Sequence, residues 1–133
     1  MFDTSRASSS FAVPDVGTAK AFYSETLGVP VTEDGGLLFL QLGNDRQILV
    51  YPKADHSPAT YTVLNFEVDD IEAAVDALAE RGVAVTHYSG TATDTDTDEK
   101  GIFRVGDIAQ AWFTDPAGNI LSVMQVSGAG STT

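Results

Sequence analysis

An internal duplication is the feature of this sequence that most limits how the chain can fold. Residues 13–16 (VPDV) correspond to residues 68–71 (VDDI), and residues 27–32 (LGVPVT) correspond to residues 81–86 (RGVAVT). The period of the repeat is about 55 residues, and a unit of that length is too small to bury its own hydrophobic faces. The chain is therefore expected to fold as two copies of one small module.

Both halves carry the same order of predicted elements. In the first half, Asp15 begins a helix as its N-cap and Gly28 ends it. In the second half, Asp69 and Glu72 form a capping-box pattern at the start of a helix. Alternating residues between turn signals predict extended segments over residues 8–13, 29–32, 37–42, 47–51, 61–68, 83–88, 107–114 and 119–126. The order in each half is a strand, a helix and two or three strands, and residues 89–100 are predicted to form a mobile polar loop.

Composition excludes several classes of function. The 133 residues are enough for one ordinary domain. The chain has no cysteine, which excludes disulfides, zinc–thiolate sites, iron–sulfur clusters and thiol nucleophiles. Nineteen acidic and seven basic residues give a formal net charge of -12. Nucleic acid and anionic membranes bind positively charged surfaces, so we expect neither as a partner. The negative charge favours solubility and could attract a cationic ligand.

The ends of the chain lack the features of targeting segments. No window reaches the ~20 apolar residues of a membrane span, and the polar start lacks the apolar stretch of a signal peptide. We therefore expect a cytoplasmic protein. Residues 1–7 are predicted to be disordered and residues 127–133 to form a flexible tail. A single domain remains over residues 8–126, with a first module over 8–60 and a second over 61–126.

Three segments, in order along the chain, resemble one known family. Residues 13–28 resemble the opening of the first half of the glyoxalase/bleomycin resistance protein/dioxygenase (vicinal oxygen chelate) superfamily. Residues 66–74 look like the opening of its second half, and residues 115–119 (DPAGN) are similar to its closing turn. The resemblance covers residues 8–126. It implies an α+β fold in which two βαβββ modules form a curved sheet around a ligand cleft.

The same resemblance implies a divalent metal ion held by His, Glu or Gln side chains at four positions. In this sequence those positions are Ser8, Leu49, Val63 and Ser122. Aliphatic side chains offer no lone pair, and a neutral serine is a poor ligand for such metals. We therefore predict no metal and no cofactor, which makes metal-dependent catalysis improbable. His56 and His87 are either solvent-facing or acid–base groups in the cleft.

Strand alternation then predicts which side chains line the cleft. Neighbours two residues from the implied metal positions share their face of the sheet. Arg104 is a candidate contact for an anionic group, with a surface ion pair as its alternative, and Trp112 is a candidate aromatic wall, with a core position as its alternative. The predicted cleft residues are Gln47, Leu49, Tyr51, Tyr61, Val63, Asn65, Arg104, Trp112, Ser122 and Met124.

The sequence favours a binding protein over an enzyme. The substituted metal positions and the acidic charge suggest a metal-free protein of the bleomycin-resistance type, which would bind a cationic or aromatic antibiotic. The resemblance also implies a homodimer. The alternative is a lyase, isomerase or dioxygenase of the same superfamily, acting on a small carbonyl or aromatic substrate. A metal-free enzyme and a non-catalytic regulatory subunit also remain open, because fold alone does not choose among them.

Overall fold

The computed structural model describes residues 1–87 and 97–127, and the chain divides into two compact units, Met1–Pro58 and Ala59–Thr133. Most of the predicted loop over residues 89–100 and nearly all of the predicted tail lie outside the described residues. No helix in the described part of the chain is long and apolar enough to cross a lipid bilayer.

The first unit is a four-stranded sheet with one helix. Its elements are β1 Ser9–Val13, α1 Val16–Ala21, β2 Val31–Asp34, β3 Leu37–Leu42 and β4 Arg46–Pro52. The strand order is β1-β4-β3-β2, with β1 parallel to β4 and the other pairs antiparallel. A single 3₁₀ turn, Thr4–Arg6, lies within the segment that the sequence predicts to be disordered, and α1 continues into a π-helical turn, Phe22–Thr26.

The second unit repeats this topology. Its elements are β5 Thr62–Glu67, α2 Ile71–Glu80, β6 Phe103–Val105, β7 Ile108–Thr114 and β8 Ile120–Val126. The strand order is β5-β8-β7-β6, again with the first strand parallel to the last and the rest antiparallel. Each unit is therefore one βαβββ module, which confirms the predicted α+β fold class.

The helices begin at aspartate caps. The Asp15 carboxylate accepts hydrogen bonds from the backbone N–H groups of Gly17 and Thr18, at 2.9 and 3.3 Å. In the second unit the cap is Asp70, which accepts from the second and third helical N–H groups at 3.1 and 3.2 Å. The prediction of Asp69 was wrong by one residue. The Gln125 side chain of β8 accepts from the backbone N–H of Ile71 at 2.9 Å, a tertiary contact that fixes where the helix starts.

Each helix covers one face of its own sheet and creates the core there. In the first unit the buried side chains include Phe11, Val13, Ala19, Tyr23, Leu38, Leu40 and Val50. In the second unit they include Leu64, Ile71, Val75, Leu78, Ala111, Phe113, Leu121 and Val123. Because side chains alternate along a strand, the intervening residues point to the opposite side of each sheet, which we call its helix-free face.

The second predicted strand of the second module, over residues 83–88, differs from the structure. Residues 83–87 form no strand, and only Thr86 pairs with Trp112, through a backbone hydrogen bond of 2.7 Å; Tyr88, the last residue of that predicted strand, lies outside the described residues. The short strand β6, which the sequence analysis did not predict, instead pairs with the first half of β7. Strand propensity indicates which segments can pair, whereas the partner edge decides which of them does.

Candidate functional site

Polar and aromatic side chains meet on the helix-free face of the second sheet. Asn65 on β5 lies directly opposite Ser122 on β8, which lies opposite Trp112 on β7. One row further along, Met124 lies opposite Gln110, and Gln110 opposite Phe103. Register therefore brings residues from four strands, far apart in the sequence, to one surface.

Three of these side chains form a closed hydrogen-bond network. The Ser122 hydroxyl donates to Asn65 Oδ1 at 2.5 Å. Gln110 Nε2 donates to the same Asn65 oxygen at 3.2 Å and to Ser122 Oγ at 3.1 Å. Ser122 is completely buried, whereas Asn65 is exposed and Gln110 is half-buried. A buried hydroxyl thus anchors two amides that remain within reach of solvent.

The indole of Trp112 is fixed beside this network. Its Nε1–H donates to Thr62 Oγ1 at 3.1 Å, and its ring lies 6.1 Å from that of Phe103, centroid to centroid, at an interplanar angle of 41°. Trp112 is only half-buried. A flat, half-buried ring held by a hydrogen bond and a neighbouring aromatic ring is a suitable surface for an apolar or aromatic ligand.

A register shift in β5 alters the predicted set of residues. Thr62 pairs with Ile120 and Leu64 with Leu121, so Val63 lies in a bulge between them. The simple alternation of Tyr61, Val63 and Asn65 therefore does not hold. Thr62 contacts Trp112 on the helix-free face, whereas Tyr61 precedes the strand and is 69% exposed.

The first sheet carries the equivalent row with different chemistry. Leu49 lies opposite Phe39, in the arrangement that Ser122 and Trp112 have in the second sheet. Gln47 shares this face and donates to Gln41 Oε1 at 3.1 Å. Tyr51, two residues from Leu49 along β4, is half-buried. Leu49 and Phe39 therefore give this face an apolar centre, and the amides of Gln41 and Gln47 lie towards one end.

Ser8 lies outside this row. It precedes β1, is exposed, and lines a polar cavity of about 500 Å³ together with the β3–β4 turn residues Asn44 and Asp45 and with Arg46 and Gln47 of β4.

Arg104 does not belong to the candidate site. It lies opposite Ala109, a buried residue of the face that α2 covers. Its guanidinium lies 3.4 Å from a Glu72 carboxylate oxygen and 4.0 Å from one of Asp98. The surface ion pair, which the sequence left as the alternative, is what the structure contains. Alternation in β6 could not be inferred, because the sequence analysis did not identify β6 as a strand.

The ion pairs around Arg104 form an acidic and basic cluster beside α2. Lys100 Nζ lies 3.0 Å from an Asp76 oxygen and 3.6 Å from one of Glu72, and its hydrogen bond to Asp76 raises the pKa of the ammonium group. The pKa of Asp98 is lowered, chiefly by the backbone N–H of Ile102, which donates to its carboxylate at 2.9 Å. These interactions hold the turn before β6. Among the strand residues described on the helix-free face of the second sheet, Glu67 is the charged one.

The two histidines occupy different environments. His56 is half-buried in the turn after β4, and its Nε2 is a buried atom without a hydrogen-bond partner in the described structure. His87 is exposed, and its Nε2 would lie 3.4 Å from a Cβ added at Gly101. Neither belongs to the network around Ser122.

The residues at the implied metal positions do not fit a divalent cation. Ser122 offers a hydroxyl already engaged with two amides, and Leu49 and Val63 offer no donor atom. Across residues 1–87 and 97–127, no group of three or more His, Asp or Glu side chains could hold a metal ion. The donor chemistry that the transition metals of such sites need is thus missing at these positions.

Three residues that contact the network or the indole of Trp112 are absent from the predicted cleft residues: Thr62, Phe103 and Gln110. Gln110 lies two residues before Trp112 on β7, so alternation around Trp112 could have identified it. Thr62 reaches this face through the bulge, and no sequence signal marks that bulge.

The amino-acid sequence is similar to those of known proteins. The sequence profile of the Glyoxalase/Bleomycin resistance protein/Dioxygenase superfamily matches residues 7–123. Among curated proteins, the mitochondrial methylmalonyl-CoA epimerase of Bos taurus is 35% identical over 91 residues, which cover 56% of this chain and 52% of the epimerase. The chain therefore spans about half the length of that curated relative.

Solved structures share the architecture. A glyoxalase/bleomycin resistance protein/dioxygenase from Alicyclobacillus acidocaldarius aligns with a TM-score of 0.67 at 16% identity, covering 100% of both chains. TnmS3, an antibiotic binding protein from Streptomyces sp. CB03234, aligns with a TM-score of 0.61 at 28% identity, covering 91% of this chain and 96% of its own. The first similarity concerns the fold alone.

Proposed function

Because the chain belongs to the glyoxalase/bleomycin resistance protein/dioxygenase superfamily, we propose that it binds a small aromatic molecule, without a resident metal ion, on the helix-free face of its second sheet. The observation that carries this proposal is the half-buried indole of Trp112. It is fixed by Thr62 and lies beside the buried hydroxyl of Ser122 and its two amide partners. The proposed contact residues of this face are Thr62, Asn65, Phe103, Gln110, Trp112, Ser122 and Met124.

Two further observations support an antibiotic-like ligand. TnmS3, which is similar over most of its length, is an antibiotic binding protein. The net charge of -12 gives a negative potential that attracts cations, and Glu67 adds a carboxylate to the helix-free face, opposite Met124. An aromatic ligand that carries a positive charge at its periphery fits both the ring surface and this potential.

Titration followed by fluorescence tests the proposal directly, because Trp112 is the only tryptophan in the chain. We expect aromatic antibiotics to change its emission at one molecule per chain, and calorimetry to give the same dissociation constant. Trp112→Ala should weaken calorimetric binding at least tenfold, a loss of about 1.4 kcal/mol. Arg104→Ala on the opposite face is the matched control and should leave binding unchanged. Equal binding by wild type and Trp112→Ala would remove this face from consideration.

Metal independence is tested in the same experiment. The proposal expects the same affinity after dialysis against a chelator and after addition of Ni²⁺, Mn²⁺, Zn²⁺ or Fe²⁺. Binding that requires one of these ions would contradict the metal-free assignment and would indicate that the implied metal positions take part in ligand binding.

The alternative function is an enzyme that acts on a small carbonyl or aromatic substrate. The similarity to methylmalonyl-CoA epimerase supports it over about half of the length of that protein. The test is direct incubation of the protein with methylmalonyl-CoA in deuterated water, with and without added divalent metal. Exchange of the substrate's acidic proton would favour the enzyme, and the binding proposal expects none.

We further propose that the protein is a cytoplasmic homodimer. Strands β2 and β6 are edge strands of their sheets, and Val105 and Ile108 at the β6–β7 hairpin are 55% and 38% exposed. Unpaired edges and exposed apolar side chains favour association. Light scattering after size exclusion should give twice the mass of 14.0 kDa, and a monomer at micromolar concentration would contradict the dimer.

A further inference from the structure

We infer that the ligand presents a neutral amide edge, with a hydrogen-bond donor beside an acceptor, to Asn65 and Gln110. A lactam or a carboxamide conjugated to an aromatic ring has this chemistry. The inference rests on the proposed function, since it places the ligand on the same helix-free face, and it adds the chemical group that the face would recognise.

The argument starts from the unused hydrogen-bonding capacity of the network. A side-chain amide has one carbonyl oxygen and one NH₂ group with two donors. The Asn65 oxygen accepts from Ser122 and from Gln110, but the Asn65 Nδ2 group has no partner among residues 1–87 and 97–127. Gln110 uses its Nε2 group twice as a donor, while its Oε1 atom accepts no hydrogen bond from the described residues. One donor group and one acceptor therefore remain available, close together.

The network couples the orientations of the two amides. Ser122 donates its single hydroxyl proton to Asn65 Oδ1 at 2.5 Å, and its oxygen accepts from Gln110 Nε2 at 3.1 Å. Rotating one amide alone by 180° would place like groups against each other, two donors or two acceptors, whereas rotating both together reverses the whole network. In either arrangement one amide leaves its NH₂ group and the other its carbonyl oxygen for a ligand, and in the structure these are the NH₂ of Asn65 and the carbonyl of Gln110.

The available pair favours a neutral partner. A carboxylate could accept from Asn65, but the Gln110 oxygen and the nearby charge of Glu67 would repel it. An ammonium group could donate to Gln110, but the N–H donors of Asn65 would repel it. A cis-amide satisfies both sites with one edge, because its carbonyl accepts while its N–H donates. Any positive charge of the ligand would then lie outside this edge.

The dimensions of the face suit a fused bicyclic ring. Asn65 and Trp112 lie on β5 and β7, which flank β8, and neighbouring strands are about 4.8 Å apart. Trp112 reaches across β8 to Thr62, and Gln110 reaches across it to Asn65. The indole and the amide pair thus lie side by side along β8, so one flat molecule can contact both.

Three matched compounds test the inference by calorimetry with the full chain. Isoquinolin-1(2H)-one carries the cis-lactam edge, its N-methyl derivative lacks the donor, and naphthalene lacks both polar groups. We expect the lactam to bind at least tenfold more tightly than either analogue, because a site that hydrogen-bonds its ligand discriminates against analogues that leave its polar groups unpaired.

A matched variant assigns the effect to the network. Asn65→Asp keeps the oxygen that accepts from Ser122 and Gln110 but replaces the available donor by an acceptor. We expect it to abolish the preference for the lactam over its N-methyl derivative while naphthalene binds as before. Asn44→Asp makes the same chemical change in the β3–β4 turn and should preserve the preference. Gln110→Met provides a second variant if circular dichroism shows that Asn65→Asp does not fold.

The outcomes separate the inference from the proposed function. If all three compounds bind with similar affinity and Trp112→Ala weakens all three, the aromatic binding function stands and the amide-edge inference is overturned. If the preference survives in Asn65→Asp or in Gln110→Met, the inference is also overturned. If none of the compounds and no aromatic antibiotic binds, the proposed function itself fails.

Discussion

Exchanging Asp115 and Asn119 tests the closing turn that carries part of the family resemblance. Asp115 is 4% exposed and Asn119 is 2% exposed. The Asp115 carboxylate accepts from the backbone N–H groups of Ala117 and Asn119, both at 2.9 Å, and its second oxygen accepts from Asn119 Nδ2 at 3.0 Å. The turn is thus organised by one buried carboxylate with three donors, and it positions the start of β8.

The structure gives a magnitude for each single change. Asp115→Asn turns the Oδ2 acceptor into a donor that faces the donor of Asn119, and hydrogen bonds to charged groups contribute ~1.5–3 kcal/mol. We expect a loss of about 2–3 kcal/mol in the free energy of unfolding. Asn119→Asp places a second carboxylate against the first in a buried position, which costs at least as much.

The double variant, with Asn at 115 and Asp at 119, restores one donor and one acceptor between the two side chains. It should therefore be more stable than the sum of the single changes by about 2 kcal/mol, the coupling energy of a contacting pair.

Urea denaturation monitored by Trp112 fluorescence and by circular dichroism measures all four proteins. With a slope of ~1–3 kcal/mol per molar urea, each single change should lower the midpoint by about 1 M or more. Coincident transitions from the two signals are required for the free-energy comparison. Purely additive effects in the double variant would refute the assigned pairing of Asp115 with Asn119.

Three further predictions concern local structure. Asp70→Ala should lower the free energy of unfolding by ~1 kcal/mol through loss of the helix cap, whereas Asp69→Ala should have little effect; equal losses in urea denaturation would contradict the assigned cap. Gly101→Ala should lower the free energy of unfolding by ~2 kcal/mol, because φ is +85° and an added Cβ would lie 2.5 Å from Val85. Gly43→Ala is the control: Gly43 has open space around it, so the stability of that variant should stay near that of the wild type. The pKa of Asp98 lies below its ordinary value of 3.8. The contribution of the Asp98 carboxylate to the free energy of unfolding is therefore complete above that value and is lost as pH falls through the lower pKa of the folded state. Asp98→Asn should flatten the fall of the urea midpoint below about pH 4, and an unchanged pH profile would contradict this role.

Much of the fold was accessible from local signals. The duplicated segments predicted two equivalent modules, and the two sheets have the same strand order. Asp15 caps its helix as predicted. Such features depend on residues close together in the sequence, where hydrogen bonds and turn geometry act over a few positions. Asp69 marks the limit, because the structure uses the adjacent Asp70 as the cap, and the first helical N–H group donates to Gln125, 54 residues away.

The candidate site was only partly accessible. Alternation correctly identified residues that share a face within one strand, such as Ser122 with Met124, but it cannot detect an inserted residue. The bulge before Leu64 displaced Val63 and brought Thr62 to Trp112. The side of the sheet on which Arg104 lies could not be inferred, because β6 itself was unpredicted. A one-residue change of register moves every side chain to the other face, so such errors follow directly from unknown pairing.

The sequence by itself determined the repeated βαβββ modules, the Asp15 cap of the first helix and the chemistry available at each position, including aliphatic and hydroxyl residues where the family resemblance implies metal ligands. Only the tertiary structure decided which side chains meet: Gln110 with Asn65 across β8, Trp112 with Thr62, and Arg104 with Glu72 on the opposite face. The physical reason is that strand partners and register are set by packing between distant segments, whereas capping and turns are set by neighbours in the chain.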